Sequence, residues 1–244
     1  MPALFRLAAT ETKLFFREPI VVFFALAFSP VLFGVLGLIP AVREPGPDGV
    51  RMISRYLPIV VAMGVALFSL SGLSQLFASY REKGVLRRMR LTPVEPTVLL
   101  GAQLLMAVVL SAASTLVVLL TGRLAFDLDL PRRLPAYVLC FALLALALFA
   151  IGLLVAALAR SATSASAVGS LVFFPLVFFA GLWLPRAGMN QVLRTISDLT
   201  PLGAGVQALQ DTTSGNWPHL LHVGVMLGWL VVVGGLAARY FRWE

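Results

Sequence analysis

The sequence predicts an all-α integral membrane protein, for two reasons. Of its 244 residues, 59% are hydrophobic and 12% are charged, and the mean hydropathy is +0.94. Soluble domains are nearer half apolar and a quarter charged. Six segments also lack charged residues, and each is long enough to cross a hydrocarbon layer about 30 Å thick. The predicted spans are about 20–39, 57–80, 97–122, 134–159, 161–185 and 217–238, in one domain that covers 1–244.

The first residues predict a helix that lies in the membrane interface, over about 3–18. At helical spacing, Arg6 and Lys13 fall on one face, whereas Phe15 and Phe16 fall on the opposite side. A basic face backed by aromatic residues is typical of interfacial amphipathic helices. A disordered basic tail is the alternative, but such a tail would not need the two phenylalanines.

The charge distribution predicts that both termini are cytoplasmic. An even number of spans puts the termini on one side, and that side carries 11 of the 19 basic residues, including both lysines. Cytoplasmic loops are enriched in Lys and Arg. The net charge of +8 is therefore expected to anchor helix ends against anionic headgroups rather than to bind nucleic acid.

Residues 81–92, between the second and third spans, predict a short amphipathic helix in the cytoplasm. Val85, Leu86 and Met89 share one face, arginines occupy other positions, and Pro93 ends the helix. Such a helix can dock on a partner protein or can simply anchor the loop to the membrane surface. The residue pattern alone leaves both interpretations open.

Residues 186–211, before the last span, are too polar to cross a membrane and too apolar for a free loop. Asp198 interrupts the apolar pattern, and Pro201, Gly203 and Gly205 are expected to break any helix there. We therefore predict short re-entrant outer helices, which dip into the outer leaflet where other parts of the protein bury them. An ordinary extracellular loop is the alternative.

The sequence offers little for covalent chemistry. One cysteine, Cys140, and two histidines are too few for a disulfide or for a typical metal site. Neither Lys13 nor Lys83 is followed by Ser or Thr, so the chain has no phosphate-binding loop for ATP. A membrane-embedded enzyme is disfavoured because no catalytic cluster is evident. A channel or an ion-gradient-driven secondary transporter is the alternative function, but that class usually has ionisable residues inside its spans.

Two segments resemble the permeases of the type-2 ABC exporter family. Residues 81–94 are similar to the loop after the second span in that family, with its Arg/Glu-rich start, glycine, hydrophobic pair, basic residues and Thr-Pro. The sequences Phe-Phe-Ala-Gly-Leu-Trp-Leu-Pro at 178–185 and Asp-Leu-Thr-Pro-Leu at 198–202 resemble its signature at the fifth span and outer re-entrant helices. Alanine stands where serine is usual, and threonine where asparagine is usual. The actinobacterial drug and polyketide exporter permeases look most similar.

The resemblance implies an ATP-driven exporter of a hydrophobic or amphipathic substrate, such as a drug, an antibiotic or a lipid, from the cytoplasm or inner leaflet. Residues 81–92 would be the coupling helix, seated in a separate ABC ATPase subunit. Two ATPase subunits and a second permease, identical or similar, would complete the transporter in the bacterial plasma membrane. This chain would bind no cofactor, because the ATPase subunit would use ATP and Mg²⁺.

The resemblance also implies three sets of functional residues. The coupling set is Arg81, Glu82, Gly84, Val85, Leu86, Arg87, Arg88 and Met89. The set for dimer contacts or the transport path is Gly34, Gly37, Ser71, Gly72, Gln75, Phe173, Phe174 and Phe178. The outer gate set is Gly181, Trp183, Pro185, Asp198 and Pro201. Gly84 is expected to let the backbone approach the ATPase closely, and Arg133, in an outer loop, is expected to tolerate alanine.

Overall fold

The computed structural model describes residues 22–46, 49–84 and 96–240. In this part of the chain the regular elements are helices, apart from one isolated β-bridge. The predicted interfacial helix at 3–18 and most of the predicted coupling helix, 85–92, lie outside the described residues. The all-α fold class is confirmed for the residues that are described.

Long apolar helices make up most of the fold. The helices are α1 Phe23–Leu38, α2 Pro40–Arg43, α3 Met52–Glu82, α4 Pro96–Phe126, α5 Leu134–Leu158, α6 Ala162–Phe179, α7 Gln191–Leu199, α8 Pro201–Ser214 and α9 Leu220–Tyr240. By length and composition α3, α4, α5, α6 and α9 can cross a membrane, which makes the chain a multi-pass membrane protein. The first predicted span corresponds to α1, whose described part is apolar but shorter. Five described helices rather than six therefore meet the length criterion.

Helices α3 and α5 form the centre of the bundle. The buried share of the most apolar stretch is 78% in α3 and 61% in α5. In each of the other three candidate spans, this share is 44% or less. Helix α5 packs against α9, α8 and the middle of α3, and α6 packs against the second half of α3. Helices α1 and α4 pack against each other and against the first half of α3.

The bundle has two ends, which we name after residues of α3. The Met52 end holds the start of α3 and the end of α4, and Arg51 joins them by donating to the Phe126 carbonyl at 2.9 Å. The Glu82 end holds the end of α3 and the connection between α5 and α6. In the predicted orientation, the Met52 end faces outward and the Glu82 end faces the cytoplasm.

The middle of α3, Phe68–Leu73, is a π-helical segment that packs closely against two other helices. Ser69 Oγ donates to a carbonyl of α5 at 2.6 Å. A Cβ added to Gly152 of α5 would lie 2.5 Å from the Ser69 carbonyl oxygen, and one added to Gly169 of α6 would overlap the Leu70 carbonyl oxygen. Glycine thus lets α5 and α6 approach the same backbone segment, as small residues do in membrane helix interfaces.

The segment predicted to re-enter the membrane folds into two helices, α7 and α8, whose depth in a bilayer stays a prediction. Pro201 separates them, and Thr200 caps α8 by accepting from the Gly203 N–H at 3.1 Å. Gly203 and Gly205 lie inside α8, so the expectation that these glycines break the helix is wrong. Close packing explains both glycines: a Cβ at Gly203 would overlap the Ser197 carbonyl oxygen, and one at Gly205 would overlap a leucine of α5.

Arg133 ties the loop before α5 to the loop after α8. Its Nε donates to the Gly215 carbonyl at 2.5 Å, and its guanidinium lies over the Trp217 ring, 4.8 Å from the centroid. Its backbone N–H donates to the Thr212 carbonyl at 3.2 Å. These contacts hold two loops together. Alanine at position 133 would remove the side-chain contacts, so the structure does not support the expectation that alanine is tolerated there.

Gly169→Ala is expected to destabilise the protein, because the added methyl group would overlap the Leu70 carbonyl oxygen and push α6 away from α3. Gly152→Ala is expected to act in the same way against Ser69. Overpacking of this kind costs about 1–3 kcal/mol. The measurement is the thermal unfolding midpoint of the purified chain in nanodiscs.

Gly228→Ala is the matched control for these variants. Gly228 also lies in a candidate span, α9, but a Cβ there meets nothing within 4 Å. Alanine is favoured over glycine in a helix by about 1 kcal/mol, so this variant should unfold at the wild-type temperature or slightly above it. Equal midpoints for all three variants would contradict the close approach of α5 and α6 to α3.

Candidate functional site

A pocket of about 460 Å³ lies at the Met52 end, where the first turns of α3, the end of α6, and helices α7 and α8 meet. This volume is in the range of sites that bind small molecules. The pocket contains residues from the predicted outer gate, and it lies at one end of the α3–α6 pair. Among the described residues, it is therefore the candidate ligand site.

The walls of the pocket are amphipathic. Apolar surface comes from residues that include Met52, Ile59, Ala180 and Val206. Uncharged polar groups come from Tyr56, Gln207, Gln210 and Ser214, and charged groups come from Arg55, Arg186, Arg194 and Asp211. Among the described residues, no group of three His, Cys, Asp or Glu could hold a metal ion.

Asp198 organises the charged side of the pocket. Its carboxylate oxygens accept from Arg186 Nη1 and Nη2 at 2.5 and 2.8 Å. Its Oδ1 also lies 3.2 Å from His222 Nε2. The Arg186 carbonyl in turn accepts from Arg194 Nε at 3.1 Å. One carboxylate of α7 therefore positions Arg186 directly and Arg194 through it.

The surroundings of Asp198 favour its charged form. Partial burial acts to raise the pKa of Asp198, but the hydrogen bonds and charge of Arg186, together with the contact to His222, outweigh burial and hold the pKa below its usual value. The ion pair is partly exposed, with 34% of the Arg186 side chain and 22% of the Asp198 side chain accessible. Asp198 is therefore ionised at neutral pH.

Two further hydrogen bonds hold α7 between α6 and α9. Ser197 Oγ donates at 2.6 Å to the carbonyl oxygen of Phe179, which is the last residue of α6. Trp229 Nε1 of α9 donates to the Leu199 carbonyl at 2.9 Å. The helix that carries Asp198 is thus fixed to both neighbours by side-chain contacts.

The structure brings part of the predicted outer gate set together. Gly181 and Pro185 line the pocket, and Asp198 supports it. Gly181 has φ +92°, a left-handed conformation that favours glycine, and turns the chain after α6. Pro201 begins α8. Trp183 is 57% exposed and does not line the pocket.

The residues predicted for dimer contacts or the transport path fall into two groups. Gly37 and Phe173 are buried within the chain, and Gly37 lies against the ring of Phe126. Phe174 is 59% exposed, and Gln75 is also exposed. The remaining members are partly exposed: Gly34, Ser71, Gly72 and Phe178. The exposed and partly exposed members can reach a partner or a path, whereas Gly37 and Phe173 serve packing inside the chain.

Gln75 marks a face of α3 that is poorly suited to lipid. It is exposed within the candidate span Met52–Glu82. An amide in hydrocarbon would leave its donor and acceptor groups without partners. Ser71, one turn earlier, is partly exposed on the same side. This face therefore favours contact with water or with another protein chain.

At the Glu82 end, two residues of the predicted coupling set tie α3 to the α5–α6 connection. Arg81 Nη1 donates to the Ala157 carbonyl at 3.0 Å, and the Glu82 carboxylate accepts from the Ala162 N–H at 3.1 Å. Glu82 thus lies at the N-terminus of α6, where the helix dipole favours a carboxylate. Both residues belong to the last turn of α3. The helix predicted over 81–92 therefore does not begin at Arg81, because α3 continues to Glu82.

Gly84 turns the chain after α3. Its φ is +65°, and its N–H donates to the Arg81 carbonyl at 3.0 Å. A Cβ at this position would meet nothing within 4 Å of the described chain. The structure therefore explains the glycine at position 84 by its left-handed backbone conformation, and not by close packing against another part of the described chain. The other members of the coupling set lie outside the described residues: Val85, Leu86, Arg87, Arg88 and Met89.

Several residues that position these sites are not recognisable from local sequence. Arg186 and His222 lie 12 and 24 residues from Asp198 along the chain. Ser161 and Ser164 cap the start of α6, each side chain accepting from the backbone N–H of the other. Their Ser-x-x-Ser spacing, a variant of the capping box, is the one signal that could have indicated this cap.

The sequence model of the family described as ABC-2 type transporter matches residues 2–213 of the chain. The match includes the pocket walls up to Asp211, the Arg186–Asp198 ion pair and the Glu82 end. Helix α9, which contributes His222, lies beyond it. No curated protein matches the chain.

Asp198→Asn is expected to lower the unfolding midpoint at neutral pH, because it removes the charge that pairs with Arg186 and His222. A hydrogen bond to a charged group contributes about 1–3 kcal/mol. The folded-state pKa of Asp198 is lowered, so its contribution is complete above the usual Asp pKa of about 3.9. The contribution is lost as the pH falls through the lower, folded-state pKa. The measurement is the midpoint of both proteins across this range.

Asp129→Asn is the control for this experiment. Asp129 pairs with Arg132, but their side chains are 72% and 67% exposed. Exposed ion pairs contribute about 0–1 kcal/mol, so little change is expected. A difference between wild type and Asp198→Asn that stays constant through strongly acidic pH would contradict the role of the ionised carboxylate.

Proposed function

The chain belongs to the ABC-2 type transporter family and is a transmembrane permease component of an ABC transporter, and we propose that it exports a hydrophobic or amphipathic substrate from the cytoplasm or inner leaflet. A separate ABC ATPase subunit, present in two copies, hydrolyses ATP with Mg²⁺; the membership of this chain in a permease family supports this part of the proposal. The transporter lies in the bacterial plasma membrane, with both permease termini in the cytoplasm.

The observation that carries the proposal is that α3 and α6 both reach from one end of the bundle to the other. Helix α3 begins at the pocket with Met52 and ends at Glu82. Helix α6 begins at Ala162, bonded to Glu82, and the chain reaches the pocket again at Gly181, just after α6. The two helices pack closely at Gly169. A displacement of their Glu82 ends is therefore transmitted to the pocket walls.

The ATPase subunit acts on the segment 81–92. The apolar face formed by Leu86 and its neighbours fills a pocket of the ATPase, and the arginines make charged contacts at its rim. Arg81 and Glu82 are bonded to the α5–α6 connection. A push on this segment therefore moves the ends of α3 and α6 together. ATP-driven closure of the two ATPase subunits tilts both helices and opens the path outward.

A second permease, identical or similar, completes the transport path. The exposed Gln75 and the partly exposed Ser71 lie on α3, and the exposed Phe174 lies on its neighbour α6. Two such surfaces related by a two-fold axis enclose a path lined by an amide, small hydroxyls and aromatic rings. This lining suits a hydrophobic or amphipathic molecule.

Leu86→Asp is expected to abolish ATPase association and export while leaving membrane insertion intact, because it places a charge on the apolar docking face. Gly84→Trp is expected to have the same effect, since φ +65° disfavours any residue with a side chain. The measurement is the amount of ATPase subunit recovered with the tagged permease, together with substrate efflux from vesicles.

Arg123→Gln is the control for the coupling variants and replaces the unsuitable Arg133. Arg123 pairs with Asp127, and their side chains are 49% and 90% exposed. Such a pair has little effect on stability, so recovery and efflux should match the wild type. Full recovery of the ATPase subunit and full substrate efflux in both coupling variants would indicate that residues 81–92 only anchor the loop to the membrane surface.

Cysteines introduced at Val35 and Phe174, 53% and 59% exposed, are expected to cross-link the chain to a second permease. The buried native cysteine is first replaced by Cys140→Ser. The reason is that small and aromatic residues of the first and fifth spans are placed for close helix packing. Cross-linked species are measured on denaturing gels after reaction in vesicles. A cysteine at Val231 of α9, 70% exposed, is the control that should stay uncross-linked. A functional transporter with a single permease would contradict the dimer.

A further inference from the structure

We propose that the pocket at the Met52 end binds an anionic amphiphile, a molecule with a carboxylate or phosphate head and a short apolar tail. This inference rests on the proposed function, because it names the chemical class of the exported substrate at the point of its release. It follows from the charges, the supporting contacts and the apolar surface of the pocket.

Three guanidinium groups reach the pocket from three separate elements. Arg55 comes from the start of α3, Arg186 from the turn after α6, and Arg194 from α7. Among the described residues that line the pocket, the one carboxylate belongs to Asp211, and its Oδ2 accepts from the His219 N–H at 3.4 Å. With Asp198, the partner of Arg186, counted as well, three guanidinium groups face two carboxylates, so positive charge exceeds negative charge at the pocket. Guanidinium groups also match the planar oxygen geometry of carboxylates and phosphates.

The Asp198 ion pair directs Arg186 without using all of its hydrogen-bonding capacity. A guanidinium group has five N–H donors. Two nitrogens of Arg186 donate to Asp198, one to each carboxylate oxygen. The Arg186 carbonyl holds Arg194 at its Nε. Arginines positioned in advance lose less conformational freedom on binding an anion than arginines on a free surface. The pocket is therefore a preorganised anion site.

The other part of the pocket suits a hydrocarbon group. Ile59 and Val206 line it and are 8% and 1% exposed. Met52, which also lines it, is 42% exposed. An inorganic anion would leave this apolar surface uncovered, whereas an uncharged apolar ligand would remove water from the guanidinium groups without hydrogen-bonding to them. A volume of about 460 Å³ has room for both a head and a tail.

The test measures binding to the permease alone in nanodiscs. Hexyl phosphate and hexyltrimethylammonium carry the same tail and opposite charges, and inorganic phosphate carries the head without a tail. Affinities are measured by isothermal titration calorimetry, with the heat of empty nanodiscs subtracted. We expect hexyl phosphate to bind at least about tenfold more tightly than either of the other two probes.

Variants assign the binding to the pocket. Arg55→Gln and Arg194→Gln should each weaken hexyl phosphate binding about five- to tenfold without weakening hexyltrimethylammonium binding. Met52→Gln, nearly equal in size, should weaken hexyl phosphate binding but not inorganic phosphate binding. Arg123→Gln, an exposed arginine at the same end that does not line the pocket, is the matched control. Unfolding midpoints at the wild-type value show that each variant is folded.

Three results would overturn the proposal. One is equal affinity for the two hexyl probes, and another is an equal loss of hexyl phosphate binding in Arg123→Gln. The third is inorganic phosphate binding as tightly as hexyl phosphate, which would make the pocket a simple phosphate site rather than a site for an amphiphile.

Failure of this proposal and failure of the proposed function give different results. The binding assay needs neither ATP nor the ATPase subunit, so a negative result rejects the pocket's ligand class and leaves ATP-driven export standing. Hexyl phosphate binding with no recovery of an ATPase subunit and no efflux would instead support the pocket's ligand class and reject ATP-driven export.

Discussion

The close packing of α5 and α6 against the π-helical segment Phe68–Leu73 is the contact on which the rest of the bundle depends. Lipid tails are as apolar as the helix surfaces, so burial alone gives membrane helices little reason to associate. Gly152 and Gly169 remove side chains where the helices meet the carbonyls of Ser69 and Leu70. The attraction then comes from many short van der Waals contacts. Helix α3 is thereby fixed at its middle.

Fixing α3 at its middle leaves its two ends to be held by different interactions. At the Glu82 end, Arg81 and Glu82 hydrogen-bond to the α5–α6 connection. At the Met52 end, the Arg186–Asp198 ion pair holds the loops around the pocket. Packed backbones cannot rearrange without steric overlap, whereas a partly exposed hydrogen bond can exchange its partner for water. The centre of α3 is therefore held more rigidly than its two ends.

Much of the fold can be predicted from local properties of the sequence. The interior of α8 shows where prediction from local properties fails. The candidate spans are predictable because a long uncharged stretch is recognisable without knowledge of its neighbours. Gly203 and Gly205 act as helix breakers by intrinsic propensity. In the folded chain they lie inside a helix, because α8 approaches Ser197 and α5 too closely for side chains. Propensity and packing give opposite predictions for the same residues, and only the three-dimensional contacts decide between them.

The candidate site is harder to predict, because its contacts join residues that are distant in the chain. Asp198 belongs to a recognisable segment, but Arg186 and His222, its partners, carry no local signal of that pairing. What the sequence does indicate is the kind of chemistry. Residues 186–211 are too polar to span a membrane, since unpaired charges are costly there. That same polarity lets Arg186 and Asp198 pair at the edge of the bundle, next to the pocket. The property that excludes this segment from the hydrocarbon layer is therefore the property that supports the proposed recognition of a charged head group.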